Sequence, residues 1–306
     1  MQCIYLGEYI LPLVSIAIAA FNHEKFIGDT LLSIKRQDLS SYEIVIVDDC
    51  SSDRTCAFIE HYAEKYNLPV KLFRNSQNQG VLNTIRKATE MIAGKYLCIF
   101  SSDDVYLDNG LMPLLAALEK NEKAVAVYCN GKYLTGNSPS GDVLKEKEID
   151  TLRQGAQATL FYLWTEIPRL FLQSTMIRTD FFHLIGGFPV NAKAEDWTLN
   201  IKMFEGMYNL SKKCLFMPLH YSFAYRQHNS NISRNIKYQT FNTVYTAARF
   251  VPKELRHLCL SNIYNKYQHI HEINGDLINA ERCRLLYERH HAIFQANPFQ
   301  GNITFR

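Results

Sequence analysis

KYLCIFSSDDVYLDNG, residues 95–110, decides how this chain is read. KYLCIF is an apolar run of strand length, and directly after it stand two adjacent carboxylates, Asp103 and Asp104. Like charges side by side repel, so a chain that keeps two of them where a buried strand ends has to offset them with a cation or with hydrogen-bond donors.

Runs of the same kind recur on either side. VSIAIAAF (14–21), EIVIVDD (43–49), VKLFRN (70–75) and AVAVYC (124–129) read as strands, and between them Ile27, Leu31 and Ile34, then Ile85, Ala88 and Ile92, keep helical spacing. Strand and helix in alternation predict an α/β fold with parallel strands and crossover helices. Ser51, Ser52 and Asp53 stand where a helix cap is needed after the second strand, Gly94 where the helix before the fourth should end, and a further helix is expected from about Asn109. Ligands bind at the carboxyl ends of such strands, which places Asp48 and Asp49 on the same rim as Asp103 and Asp104. Either acidic pair alone reads as a helix cap facing water. Both on one rim favour a divalent cation with open positions for phosphate oxygens.

Periodicity fades from Gly131 to about Pro168, where Gly136, Asn137, Pro139 and Gly141 mark loops. It returns with STMIRT and then DFFHLIGGF, whose Gly186 and Gly187 stop a short helix. After about Thr240 the chain reads as helices. Leu255, Leu258, Ile263, Tyr267 and Ile270 form one apolar stripe, Gly275 and Asp276 a break, and 277–296 a second helix. The expected organisation is a main domain over 1–240, divided near 130 into a ligand-binding half (12–130) and a second half (131–240), followed by a helical tail over 241–306. The tail packs on that domain or on another copy of the chain, and its pairs His269 with His271 and His290 with His291 are expected on the surface.

With 306 residues, 47% of them hydrophobic, the chain can bury a large core. A net charge of +3 argues against a nucleic-acid partner. Positions 201–256 hold nine Lys or Arg against Glu205 and Glu254, a local +7 that leaves −4 elsewhere. Such a zone is either a solvated face or a surface for phosphate or an anionic inner leaflet. Eight cysteines without a CxxC pair read as small buried hydrophobes, with neither zinc nor a disulfide framework. MQCIYLGEYILP has no basic leader pattern and no run has the ~18 apolar residues of a membrane span, so a cytoplasmic protein, peripheral at most, is expected.

There is no GxxxxGK[ST] loop and no GxGxxG after the first strand. Instead VSIAIAAFNHEKFI, EIVIVDDCSSDRT, NQGVLNTIRKA, YLCIFSSDD and GGFPVNAKAEDWTLNIKM follow one another in order. Over about residues 12–230 this series resembles the family-two inverting glycosyltransferases of bacterial surface-glycan type, which have the GT-A fold: a mostly parallel central sheet with a nucleotide-binding half. The resemblance implies that Ala19, Phe21 and Asp49 meet the nucleotide base, Phe21 as a stacking ring and Asp49 as acceptor of a base N–H. From the residue alone, Phe21 reads equally as core. Gly80 would let the backbone approach the nucleotide, or is a plain turn glycine. SSDD stands at the DxD-type metal signature, so Asp104 is implied as a rim ligand for Mg²⁺ or Mn²⁺, with Asp103 supporting it or the sugar-nucleotide. Asp196 in AEDWTL matches the catalytic base and Glu195 beside it would orient the acceptor, although an ED pair is also an ordinary helix start. YRQHNSNIS resembles a YRxH element, which assigns His228 to the metal or diphosphate and Arg226 to phosphate.

Two positions depart from the pattern. Ser101 replaces the first acid of LDxDD, and Thr84 and Arg86 stand where AxN is usual, Arg86 being placed for a phosphate or a neighbouring acid. The resemblance implies transfer of a sugar from a UDP-sugar or other nucleotide-sugar to a hydroxyl of a glycan or lipid-linked acceptor, with inversion and a metal. A nucleotidyltransferase would use similar carboxylates but shows a Gly-rich basic loop after the first strand, which AAFNHEKF is not. A degenerate, non-catalytic assembly domain, oligomeric through its tail, is disfavoured by the intact Asp49, Asp104 and Asp196.

Overall fold

The computed structural model describes residues 12–136, 138–167 and 169–299. The segment 1–11 read above for a leader, with Cys3, and the loop positions Asn137 and Pro168 lie outside these. The first half runs β1 (Val14–Ala20), α1 (Ile27–Lys35), β2 (Tyr42–Asp48), α2 (Thr55–Tyr66), β3 (Val70–Arg74), α3 (Val81–Glu90) and β4 (Tyr96–Ser101). These strands lie side by side and parallel, β3-β2-β1-β4. They are apolar at nearly every position because both faces are covered. Ile16, Ile18, Ile44, Ile46, Cys98 and Phe100 enter one core with α1. The alternate residues Ala17, Val45, Val47, Leu97 and Ile99 enter the other with α3.

Beyond β4 follow β5 (Val105–Tyr106), α4 (Met112–Glu119), β6 (Ala124–Thr135), β7 (Ser138–Asp142), α5 (Glu146–Arg153), α6 (Ala156–Thr165), β8 (Thr175–Arg178), α7 (Thr179–Leu184), α8 (Glu195–Asn209) and β9 (Lys213–Arg226). The sheet has nine strands in the order β3-β2-β1-β4-β8-β6-β9-β5, with β7 on β6. AVAVYC, expected to extend the parallel series, does not pair with β4. β8 lies between them, antiparallel to both. Arg178 secures it there, its guanidinium donating to the Ala124 and Leu118 carbonyls at 2.8 and 2.7 Å. The sheet is thus parallel in its first half and mixed as a whole.

The stretch from 131 to 168, over which periodicity fades, holds the second half of β6, β7, α5 and α6. Helix α6, AQATLFYLWT, is buried at Leu160 and from Tyr162 to Thr165, so it has no polar face to give it a period. Gly94 does not end α3, which stops at Glu90. A Cβ on Gly94 would stand 2.6 Å from Ser15 Oγ and 2.7 Å from Ser15 N, so glycine is needed for close approach to β1. The cap position of α2 is Arg54, which makes no side-chain cap bond, and Asp53 just before it accepts from the Thr55 N–H at 2.9 Å. Ser51 and Ser52 instead bond Asn22 in the loop after β1.

Helices α9 (Ile236–Phe250), α10 (Lys253–Ile273) and α11 (Leu277–Ala296) follow. Gly275, with φ +73°, and Asp276, which accepts from the Asn279 N–H, make the turn between the last two. Ala247, Val251, Leu255, Cys259, Ile263 and Tyr267 share one apolar core with Leu160, Trp197 and Met207. His271, expected on the surface, is buried and pairs with Asp276 at 3.3 Å. His290 meets His257, Nδ1 to Nδ1, at 2.8 Å. The described cysteines are all free, and Cys50 is exposed rather than buried. The basic positions do not form one face. Lys212 and Lys213 join Arg153 in one cleft of about 510 Å³, Lys237 lines another with Arg282, and Arg226 is enclosed. Among the described residues no helix is long and apolar enough to cross a membrane.

Candidate active site

Strand register builds the rim. Ala20 pairs with Asp48 and Ala19 with Ser101, so β1, β2 and β4 end level and deliver Phe21, Asp49 and the Asp103–Asp104 turn side by side. The loops after β1 and β2 are laced together: the His23 N–H donates to Thr55 Oγ1 at 2.8 Å and the Glu24 N–H to Asp53 at 3.1 Å.

The first acidic pair is held by hydrogen-bond donors. Asp48 accepts from the Ser51 N–H at 2.9 Å and from the Ser51 hydroxyl. Asp49 accepts from Asn75 Nδ2 at 2.9 Å and from the Gln79 and Gly80 N–H groups at 2.8 Å each. Gly80, at φ +81°, is in a conformation that favours glycine, and it presents its N–H to Asp49. Asn75 in turn accepts from Lys87 at 2.9 Å, a residue the sequence reading passed over. Arg86, one position earlier, bonds Asn83 on its own helix. Ala19 is partly exposed and Phe21 is 43% exposed, which removes the core reading of Phe21.

The second pair divides its labour. Asp104, expected on the rim, has 0% exposure and lies beneath it. It accepts from the Arg226 N–H at 2.8 Å and from Gln173 Nε2 at 3.3 Å. Burial and then the Asp103 charge push its pKa well above the usual carboxylate range. Ser101 takes a second bond from Gln173 Nε2 at 2.7 Å, so the hydroxyl that replaces the usual acid anchors the same amide. Arg226 is likewise engaged: its Nε donates to the Asp103 carbonyl at 2.8 Å and its Nη2 to Asp29 at 3.0 Å.

Asp103 is the carboxylate turned toward two imidazoles. His228 Nε2 lies 3.0 Å and His23 Nε2 3.9 Å from Asp103 Oδ2. Each ring is held from behind, His23 Nδ1 by the Ser102 hydroxyl at 2.7 Å and His228 Nδ1 by Ser230 at 2.8 Å. Phe26 stacks on His228 with ring centroids 4.3 Å apart. Ligand atoms of His23, Asp103 and His228 all fall within 4.8 Å of one another, so three first ligands could converge on one ion. Burial lowers the pKa of His23 against the opposing pull of Asp103, which favours the neutral imidazole that ligates metal. Two imidazoles and one carboxylate fit Mn²⁺ better than Mg²⁺, which prefers oxygen. The sequence offered no separate signal for His23, which lies 79 positions from its partner Ser102.

Asp196 occupies the first turn of α8, partly buried, with Glu195 beside it. Burial, and then Glu195, raise its pKa to about 8, against the opposing pull of the Leu172 backbone. Burial also raises Glu195. Leu172 and Gln173 are adjacent, so the segment that bonds Asp104 through Gln173 also bears on Asp196 through the Leu172 backbone. Asn200 Nδ2 fixes that segment to α8, bonding the Leu170 carbonyl and the Asp196 carbonyl at 2.8 Å each. Burial, and then the charges of Asp104, Asp103 and Asp196, push the Tyr225 phenol up to about 12, against the Ser233 hydroxyl bonded to it at 3.0 Å.

Residues 15–188 match the family described as Glycosyl transferase family 2. Among curated relatives, the poly(ribitol-phosphate) beta-N-acetylglucosaminyltransferase TarS of Staphylococcus aureus (strain MW2) is 23% identical over 292 residues, 93% of this chain and 45% of that one. The UDP-Glc:alpha-D-GlcNAc-diphosphoundecaprenol beta-1,3-glucosyltransferase WfgD of Escherichia coli is 26% identical over 137 residues, 45% of this chain and 53% of that one. The chain spans about half the length of the curated relatives it matches. Among solved structures, S. aureus TarS 1–349 in complex with UDP-GlcNAc superposes with a TM-score of 0.57 at 16% identity, covering 95% of this chain and 94% of that one. The mannosyltransferase PcManGT of Pyrobaculum calidifontis, in complex with GDP-Man and Mn²⁺, superposes with a TM-score of 0.59 at 15% identity, covering 96% and 77%. The fold is that of the GT-A glycosyltransferases, and with its family match spanning more than half its length the chain belongs to glycosyl transferase family 2.

Proposed function

We propose that this chain transfers a sugar from a nucleotide-sugar, UDP-linked in the first instance, to an acceptor hydroxyl with inversion. The observation that carries the reading is the convergence of His23, Asp103 and His228 at the end of β4, with Asp196 joined to the same knot through Leu172 and Gln173. Phe21 and Asp49 hold the base, Phe21 by stacking and Asp49 with the oxygen capacity left beside its three N–H donors. Asp103 and His228 would hold Mn²⁺ with His23 as a third ligand, and Asp104 acts from beneath by fixing Arg226 and Gln173. Mn²⁺ held by these residues would supply positive charge to the departing diphosphate. Asp196 takes the proton of the acceptor hydroxyl, and its raised pKa puts it near the operating range of a general base. Glu195 lies beside it to orient the acceptor, with residues 12–130 as donor half, 131–240 as acceptor half and 241–306 as tail. UDP-GlcNAc in TarS 1–349 and Mn²⁺ in PcManGT support the donor class and the metal. The names of TarS and WfgD support a surface-glycan or lipid-linked acceptor, which would bring the protein to the inner face of a membrane.

The test is a panel of UDP- and GDP-sugars with Mn²⁺ or with EDTA, read by thermal stabilisation, then transfer assays with product anomers assigned by NMR. A Mn²⁺-dependent rise in Tm with one donor and an inverted product is expected. Stabilisation by no donor, or a retained anomeric configuration, overturns the reading.

A further inference from the structure

We propose that Lys87, acting through Asn75, is a positioning residue that gives Asp49 its preference for a base carrying a ring N–H, an inference that rests on the donor reading above. Asn75 directly follows β3, and its backbone N–H donates to the Asp48 carbonyl at 2.8 Å. The strand end thus sets Asn75 beside Asp49, and both are buried, at 5% and 3% exposure. Asn75 Nδ2 donates to Asp49 Oδ1 at 2.9 Å and to the Thr84 hydroxyl at 3.2 Å, while Lys87 Nζ donates to Asn75 Oδ1 at 2.9 Å. Thr84 and Lys87 lie one turn apart on α3, so one helix face holds both ends of the amide.

The chemistry leaves that amide one orientation. An ammonium only donates and a carboxylate only accepts, so Asn75 turns its oxygen to Lys87 and its NH₂ to Asp49. Lys87 thereby acts on Asp49 without touching it. Its charge draws electron density toward the amide oxygen and makes the opposite N–H a stronger donor, as hydrogen bonds in a chain polarise one another. Thr84, which stands where the family pattern has Ala, is fully buried and accepts the other N–H of the amide. The departure from the pattern therefore serves the same relay.

What the relay fixes is the free edge of Asp49. Oδ1 is filled by Asn75 and the Gln79 N–H, and Oδ2 takes the Gly80 N–H. A carboxylate has about four acceptor sites, so one remains on Oδ2, and only a donor can use it. Uracil offers N3–H, whereas N3 of cytosine carries no hydrogen and would turn a lone pair toward the carboxylate. Discrimination between the two bases thus depends on how firmly Oδ2 is placed. Stacking on Phe21 and binding of the diphosphate treat both bases alike. Two of the three donors to Asp49 are backbone groups of one turn, and the third, Asn75, ties the carboxylate through Lys87 to α3.

The experiment titrates UDP and CDP by calorimetry into the full chain with Mn²⁺ present, for wild type, Lys87→Met, Lys87→Ala, Lys87→Arg and the distant control Lys120→Met. Wild type and the control are expected to bind UDP about tenfold or more tighter than CDP, the usual worth of a hydrogen bond to a charged group. Lys87→Met and Lys87→Ala should narrow that ratio about threefold or more through weaker UDP binding, with CDP unchanged within about twofold. Lys87→Arg still donates and should restore most of the preference. A change confined to the ratio separates this role from a merely structural one, which would weaken both nucleotides together. Lys87 is partly exposed, and the two truncations keep the test open if one of them does not fold. A wild type without preference, a ratio unchanged in the truncations, or an equal loss of UDP and CDP overturns the proposal while leaving the donor reading in place. Binding of neither nucleotide to wild type would sink the donor reading and this assignment with it.

Discussion

His228 Nε2 lies 3.0 Å from Asp103 Oδ2, although 125 positions separate them in the chain. The contact exists because β9 returns along β6 and pairs with β5, so that its end reaches the turn after β4. The same strand end supplies the Arg226 N–H to Asp104 at 2.8 Å. One acid is thereby turned outward to imidazoles and its neighbour inward to the backbone.

This division separates two substitutions. Asp103→Asn should leave Tm within about 1–2 °C while weakening Mn²⁺ binding by roughly tenfold or more, measured by EPR titration. Asp104→Ala should instead cost about 1–3 kcal/mol of stability in urea denaturation, because the buried Arg226 N–H and Gln173 lose their acceptor. A stable Asp104→Ala protein that has lost Mn²⁺ would show Asp104 to be the ligand itself.

Asp196→Asn keeps the shape of the side chain and removes the proton acceptor. Donor affinity should hold while transfer falls by ~10²–10⁴. Burial and Glu195 raise Asp196 to about 8, and a base must be ionised, so wild-type kcat/KM should rise with pH through about 8 and fall below it. The linkage has the opposite sense for folding: the native state binds the proton more tightly than the unfolded chain, so the Asp196 contribution to stability declines as pH rises from about 4 to about 8. Rate profiles and urea midpoints across that range check both, and a flat rate profile would remove Asp196 from the role.

Phe21→Ala should weaken nucleotide binding by ~1–3 kcal/mol, the usual worth of a base stacked on an aromatic ring. Because the ring is 43% exposed, the loss of fold stability should be small. Calorimetry with UDP measures the first and thermal denaturation the second. Unchanged UDP affinity would place the base elsewhere.

Ile263→Ala tests how the tail is coupled. Its side chain has 0% exposure in the core shared with Leu160 and Trp197. The substitution should cost about 2–5 kcal/mol, shared by the whole chain in one urea transition. A separate early transition that leaves UDP binding intact would show that the tail unfolds on its own.

The parallel half of this protein was legible because local physics and tertiary environment agree there. β1, β2 and β4 are apolar along their length since helices cover both faces, and their ends carry the acids and Phe21 that mark the rim. The motifs around Asp49, Asp103, Asp104, Asp196 and His228 identified the family for the same reason. The second half was opaque. Helix α6 has no polar face to set a period, and β9 carries Pro218 and shifts register against β6 at Asn130, so neither repeats visibly.

The sequence by itself determined the strand-and-helix order of the first half, the family, and the residue types at the rim. Only the tertiary structure decided which of two adjacent aspartates faces outward, because that depends on where β9 ends. It also decided that Asp48 and Asp49 are held by N–H and hydroxyl donors, which the spacing of carboxylates cannot reveal. His23 joined Asp103 and His228 through packing between segments far apart in the chain. No local pattern records such a meeting, because side-chain convergence is set by the closure of the whole sheet.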